Sequence, residues 1–92
     1  MKKKFQFVYP AIFVQPEDEI MMQAIFPDLN IYTDGKTLAD AYLNAKDLLK
    51  VYFSYAMQYD TEFNTPSKIE HLIEKSKPGE VVLLVDVMVE VD

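Results

Sequence analysis

TLADAYLNAKDLLKVYFSYAMQ, residues Thr37–Gln58, is the stretch on which the fold turns. Leu38, Ala41, Tyr42, Ala45, Leu48, Leu49, Tyr52, Phe53 and Ala56 recur at the three-four spacing of an amphipathic helix, while Asp40, Asn44, Asp47, Lys50, Ser54 and Gln58 fall on the opposite side. At 1.5 Å per residue the helix is roughly 33 Å long, enough to cross a small sheet. Thr37 stands at the N-cap, where its hydroxyl can accept from the amide of residue 39 or 40. Asp40 lies in the first turn, where the helix dipole favours an anion. Just upstream, Asp34-Gly35 reads as a turn, with Gly35 free to take positive φ.

The flanking segments read as sheet. Phe5 to Gln15 is a strand with Phe5, Phe7, Tyr9, Ala11 and Phe13 on one face. Both of its faces are largely apolar, which places it centrally, and Pro10 predicts a bulge or bend. An acidic turn at Pro16–Glu19 leads into a second strand, Ile20–Phe26. Pro27 and Asp28 shape the next turn, and Asn30–Thr33 forms a short third strand at an edge. After the helix, Asp60–Thr65 is an aperiodic linker. Ser67 then caps a short helix near 67–75, with Ile69, Leu72 and Ile73 on its packed face. Val81 to Val91 has a clean period of two, with Val81, Leu83, Val85, Val87, Val89 and Val91 in register. The half from Val81 to Val87 is expected to face the helix. Met88–Asp92 is expected to project and pair with another chain, or to lead into a further segment.

Composition narrows the function. Ninety-two residues, half of them apolar, support one domain over 1–92 with a modest core. The absence of cysteine excludes thiol catalysis and Cys-based zinc sites. Lys2-Lys3-Lys4 resembles the start of a signal peptide, but Gln6, Pro10 and Gln15 interrupt the apolar stretch after it. No apolar run reaches the ~18 residues of a membrane span, so the expected location is cytoplasmic, without membrane contact. Nine lysines and no arginine face fifteen carboxylates, for a net charge of -6. From Asp60 onward eight carboxylates stand against three lysines. Such a surface repels phosphate backbones, and arginine forks for guanine or phosphate are missing, so direct nucleic-acid binding is not expected. A basic protein partner suits it better.

No catalytic constellation emerges. His71 is the one histidine, on the short helix, and no metal or cofactor site is expected around it. Ser54, Ser67 and Ser76 lie in no nucleophile motif, and two glycines cannot build a phosphate cradle. The first strand holds no acid from Phe5 to Gln15, and Asp86 alone sits deep in a strand, too little for two-metal catalysis. The protein reads as a non-enzyme.

Tyr9-Pro10-Ala11-Ile12-Phe13, Phe26-Pro27-Asp28-Leu29, Thr33-Asp34-Gly35-Lys36-Thr37-Leu38-Ala39-Asp40-Ala41 and Asn44-Ala45-Lys46, followed by Pro66-Ser67 and Val82-Leu83-Leu84-Val85-Asp86-Val87, together resemble the HicB-like antitoxin family. The resemblance runs over nearly the whole chain. It departs at Asp18-Glu19, where the family often has glycine, and at Asn30-Ile31-Tyr32, where it often has Pro-Gly-Cys. It implies an α+β fold of partial ribonuclease-H-like type: a three-stranded antiparallel meander, a long crossover helix, and a final strand parallel to the first (β-β-β-α-β). It does not import nuclease chemistry. It implies an antitoxin-type domain that neutralises a small basic HicA-like mRNA-cleaving toxin by covering its active surface. Many family members also carry a DNA-binding domain, and none is expected within residues 1–92.

On charge alone, Glu70, Glu74, Asp86 and Glu90 are the expected partner-binding residues, with Glu17, Asp18 and Glu19 behind them. Asp34, Gly35, Thr37 and Asp40 are expected to build the turn and helix cap. A competing reading is a stand-alone regulatory module without a toxin, a homodimer or higher homo-oligomer joined through the last strand. A third is a degenerate nuclease-like domain.

Overall fold

The computed structural model describes residues 2–92. The elements are β1 (Lys3–Val14), β2 (Met22–Phe26), β3 (Ile31–Gly35), α1 (Leu38–Gln58), α2 (Ile69–Lys75) and β4 (Val81–Val91). The four strands form one sheet in the order β3-β2-β1-β4. The chain is thus α+β, with the expected meander, long helix and short second helix.

The last strand runs opposite to the expected direction. β4 is antiparallel to β1, with Phe13 opposite Val81 and Lys3 opposite Val91. The cause lies between the helix and the strand. α1 runs back along the sheet after β3, and a strand placed directly after it would run parallel to β1. Instead Tyr59–Glu80, α2 included, carries the chain back along the sheet, so β4 starts beside the end of β1. Every pairing in the sheet is therefore antiparallel.

α1 lays Ala41, Ala45, Leu49, Phe53 and Ala56 onto the sheet, all buried. The alanines admit close approach, while Leu49 and Phe53 fill the space between. The sheet answers with Tyr9, Ala11 and Phe13 from β1, Ala24 and Phe26 from β2, and Val85, Val87 and Val89 from β4. The odd residues of β4 face the helix as expected, but the buried half is Val85–Val89, and Val81 is 41% exposed. The far end of β4 does not project. Met88–Val91 pairs with Lys3–Gln6, because β1 begins two residues before the first phenylalanine. β2 starts only at Met22, and Ile20 lies exposed in the turn. β2 pairs with β1 only from Ile12 to Val14, so below it β1 and β4 continue as a two-stranded ribbon. This makes the molecule 47 Å long and 17 Å in its shortest dimension.

Pro10 makes no bulge. The β1–β4 register runs through it without a break, with Leu84 opposite. Pro10 lies beyond Ile12, where the pairing of β1 with β2 ends, so a missing N–H on that side leaves no ladder bond unmade.

Gly35 does not occupy a turn. It is the last residue of β3, opposite Met22, and its φ is not positive. The bend falls at Lys36-Thr37. What Gly35 supplies is space, since a Cβ there would overlap the backbone nitrogen of Ala41. The positive-φ glycine is Gly79, in the turn before β4. At the other end of α1, Asp60 takes the left-handed conformation, and the Thr61 amide donates to the Ala56 carbonyl, closing the helix in a Schellman turn.

Candidate partner interface on strand β4 and helix α2

The turn and cap residues are structural. Thr37 is the N-cap in extended conformation, and its Oγ1 accepts from the Asp40 amide at 3.1 Å. Asp40 stands in the first turn of α1. The carbonyl of Asp34 accepts from Asn44 Nδ2 at 2.8 Å, which ties β3 to the second turn of the helix.

A second polar cluster was hidden in the sequence. The carboxylate of Asp28 accepts from the Ser67 amide at 2.9 Å and from Ser67 Oγ at 2.5 Å. Asn64 Nδ2 donates to the Asp28 carbonyl at 2.9 Å, and the Tyr9 hydroxyl donates to the Asn64 carbonyl at 2.6 Å. These bonds clamp the return segment to the β2–β3 turn and to the central strand. Ser67 is therefore not the cap of α2. Lys68 occupies that position, without a side-chain bond to the helix. Phe63 completes the clamp, set edge-on against Phe7 and Phe53. The signal in the sequence was Pro66-Ser67 following Asn64, but the partner lies far upstream, and no local pattern names it.

The Tyr9 hydroxyl is held neutral above its ordinary value of 10.0, first by burial, then by the nearby Asp28 carboxylate and by Tyr52. A raised phenol pKa contributes stability that is present below pH 10 and lost as pH rises through the folded-state value. Tyr9→Phe is expected to cost about 0.5–1.5 kcal/mol at neutral pH, the net worth of a hydrogen bond. It is also expected to flatten the loss of stability in the alkaline range. Urea unfolding of both forms across that range checks the two effects together.

The four charge-selected residues fall on two packed elements. Asp86 and Glu90 stand on the even face of β4, both exposed, and Glu70 and Glu74 are exposed on α2, which packs against β4. Beside them the same elements expose Leu84, Met88 and Ile73. Ile73 thus leaves the packed face expected for it, and Ile69 and Leu72 hold α2 down alone. Asp86 pairs with Lys46 of α1 at 3.9 Å, and Glu90 pairs with Lys4 at 3.6 Å. Each of these exposed pairs contributes no more than about 1 kcal/mol. Among the described residues Glu70 and Glu74 make no ion pair. Glu17, Asp18 and Glu19 lie in the turn between the two central strands, β1 and β2, and belong to neither α2 nor β4.

β4 is also an edge. β1 occupies one side of it, and no strand pairs with the other among the described residues. A groove of about 650 Å³ runs between this edge and α1, lined by Leu43, Lys46, Asp47, Lys50, Val87 and Met88 together with Asp86. Of the aromatic residues on α1, Tyr42, Tyr52 and Phe53 join the core or its margin. Tyr55 is not among them. It is 60% exposed and stacks on Tyr59, ring centres 4.6 Å apart. Among the described residues no group of three or more His, Cys, Asp or Glu side chains is placed to hold a metal ion. No helix among them is long and apolar enough to cross a membrane.

The fold and this surface define a small α+β domain with an all-antiparallel sheet, one open edge, and acid concentrated on the elements beside it. No protein-family model matches the chain, and no curated protein or solved structure matches it significantly.

Proposed function

We propose that this chain is a protein-binding domain of the HicB-like antitoxin type, which neutralises a small basic HicA-like mRNA-cleaving toxin by covering its active surface. The observation that carries this reading is the union of exposed acids and exposed apolar side chains on α2 and β4: Glu70, Glu74, Asp86 and Glu90 around Ile73, Leu84 and Met88. Apolar contact supplies affinity at the centre of such an interface, while the acidic rim steers a basic partner and selects against others. The motifs by which the sequence resembles that family support the assignment, as does the order of meander, helix and final strand. The reversed β4 departs from the ribonuclease-H-like arrangement, so the reading rests on the motifs and the surface rather than on that topology.

The test is a titration of the chain against a small basic HicA-like ribonuclease, with mRNA cleavage followed in parallel. Binding at micromolar concentration or tighter is expected, with cleavage suppressed at stoichiometric ratio and affinity falling as salt rises. Glu70→Lys with Glu74→Lys is expected to weaken binding by about tenfold, or 1.4 kcal/mol, with only a small loss of thermal stability, because neither carboxylate has an ion-pair partner and only Glu70 lies in the first turn of α2. Absence of binding at micromolar concentration overturns the proposal.

A further inference from the structure

We propose that the open edge of β4 pairs with the β4 edge of a second copy of this chain, antiparallel and centred on Val87, to make one continuous eight-stranded sheet. This goes beyond the toxin-binding reading, because it uses the strand's edge rather than its even face, and the two can hold or fail separately.

The edge lacks several of the usual protections, although β4 carries Asp86 and Glu90 and α2 packs against it. Isolated edges are blunted by short strands, bulges, proline or lysine. β3, the opposite edge, is five residues long and ends in Asp34-Gly35. β4 is eleven residues long, runs unbroken against β1, and contains no proline, glycine or lysine. Pro10 also fixes which of its groups face outward. Pro10 has no N–H to give to β4, so the proposed dimer takes Pro10 and Leu84 as a non-hydrogen-bonded pair; Leu84 then aims its N–H and C=O at the open side, and the alternation extends this to Asp86, Met88 and Glu90. Hydrogen-bonded pairs with an incoming strand must therefore join even residues to even residues.

Among the registers centred on Val85, Asp86 and Val87, which pair most of β4, charge selects one. Centring on Asp86 sets the two Asp86 side chains directly opposite each other, and centring on Val85 sets Glu80 opposite Glu90 at both ends. Like charges directly opposed destabilise a pair. Centring on Val87 avoids both. Asp86 then faces Met88, Leu84 faces Glu90, Val85 faces Val89 and Val87 faces itself. The chain as a whole carries a net charge of -6, which opposes self-association over most of its surface. The groove beside Val87 is the exception, with Lys46 and Lys50 balancing Asp47 and Asp86. A two-fold axis through Val87 brings the two α1 flanks alongside each other, antiparallel, so that Asp47 of each copy is available to Lys50 of the other. It also buries Leu43, which is 60% exposed in the single chain.

The absence of cysteine makes the test direct. Sedimentation equilibrium of the chain alone is expected to show a monomer–dimer equilibrium, and a strict monomer at every soluble concentration overturns the dimer. Val87→Cys is expected to form a covalent dimer on mild oxidation, since non-hydrogen-bonded pairs bring Cα atoms to about 4.5 Å, within disulfide range. Asp86→Cys is expected to cross-link poorly, because its opposite residue is Met88. Efficient cross-linking of Asp86→Cys with none for Val87→Cys overturns the register. Should Val87→Cys fail to fold, as a melting curve would reveal, Met88→Lys decides. It sets lysine opposite Asp86 twice in the dimer and is expected to tighten association by about three- to tenfold at low salt. Weakened association contradicts the register.

Discussion

Phe53→Ala is expected to destabilise the domain by about 3–5 kcal/mol, the range for deleting a buried aromatic side chain. Phe53 is fully buried at the point where three parts of the chain meet. Its ring stacks on Phe7 of β1 with centres 3.9 Å apart, lies 5.2 Å from Tyr9, and takes Tyr52 and Phe63 edge-on. The cavity left by truncation would be walled by aromatic rings on rigid elements, which limits collapse into it. Small domains have total stabilities of about 5–15 kcal/mol, so the loss removes a large share of the margin. Phe63 sits on the return segment, so its packing would loosen as well. Urea unfolding monitored by circular dichroism measures the loss. Val51→Ala, on the same helix but 67% exposed, is expected to change stability by less than about 0.5 kcal/mol. Similar losses in the two variants would contradict the placement of Phe53 at the centre.

Gly35→Ala is the second large effect, expected to cost about 3 kcal/mol or more through overpacking. The added methyl would overlap the Ala41 nitrogen and lie 2.7 Å from both the Ala41 Cα and the Asp40 carbonyl carbon. All three are backbone atoms, so no rotamer relieves the overlap. Either β3 or the first turn of α1 must shift, and the cap by Thr37 and the bond from Asn44 to Asp34 shift with it. Gly79→Ala has the opposite profile. Gly79 has φ +90, and nothing lies within 4 Å of the added Cβ, so its cost is conformational alone, about 1–2 kcal/mol. Melting temperatures of the two variants should fall in that order. The reverse order would mean that the junction of β3 and α1 is looser than the close approach implies.

The contrast between these glycines shows what the sequence could tell. Asp34-Gly35 looks like a turn because glycine before a helix cap is a strong local signal. The actual demand is contact with a helix six residues later, which no local pattern announces. Helix α1 was legible because burial imposes a period on its residues, and Thr37 because a cap is set within one turn. The inward face of β4 was legible by the same logic of alternation. The direction of β4 was not. It depends on how far the Tyr59–Glu80 segment travels, and that is set by Asp28 gripping Ser67 across the fold. The proposed partner surface was legible only as a sum of charges. That sum named Glu70, Glu74, Asp86 and Glu90, which the fold sets on two packed elements. It did not foresee that Lys46 and Lys4 pair with the two strand acids, since those lysines come from α1 and from the first strand.

The pairing of Lys3 with Val91 means that the first strand of the domain finds its longest neighbour in the last. That pairing forms only once residues 81–91 are present. During synthesis the meander and α1 emerge before Val85, Val87 and Val89, and the sheet face beneath the helix is incomplete until those residues clear the ribosome. Contacts of such long sequence separation slow folding, because the whole intervening chain must be ordered to make them. The nascent chain therefore passes through a stage with an apolar helix face half covered and the side of β1 that β4 will occupy unpaired.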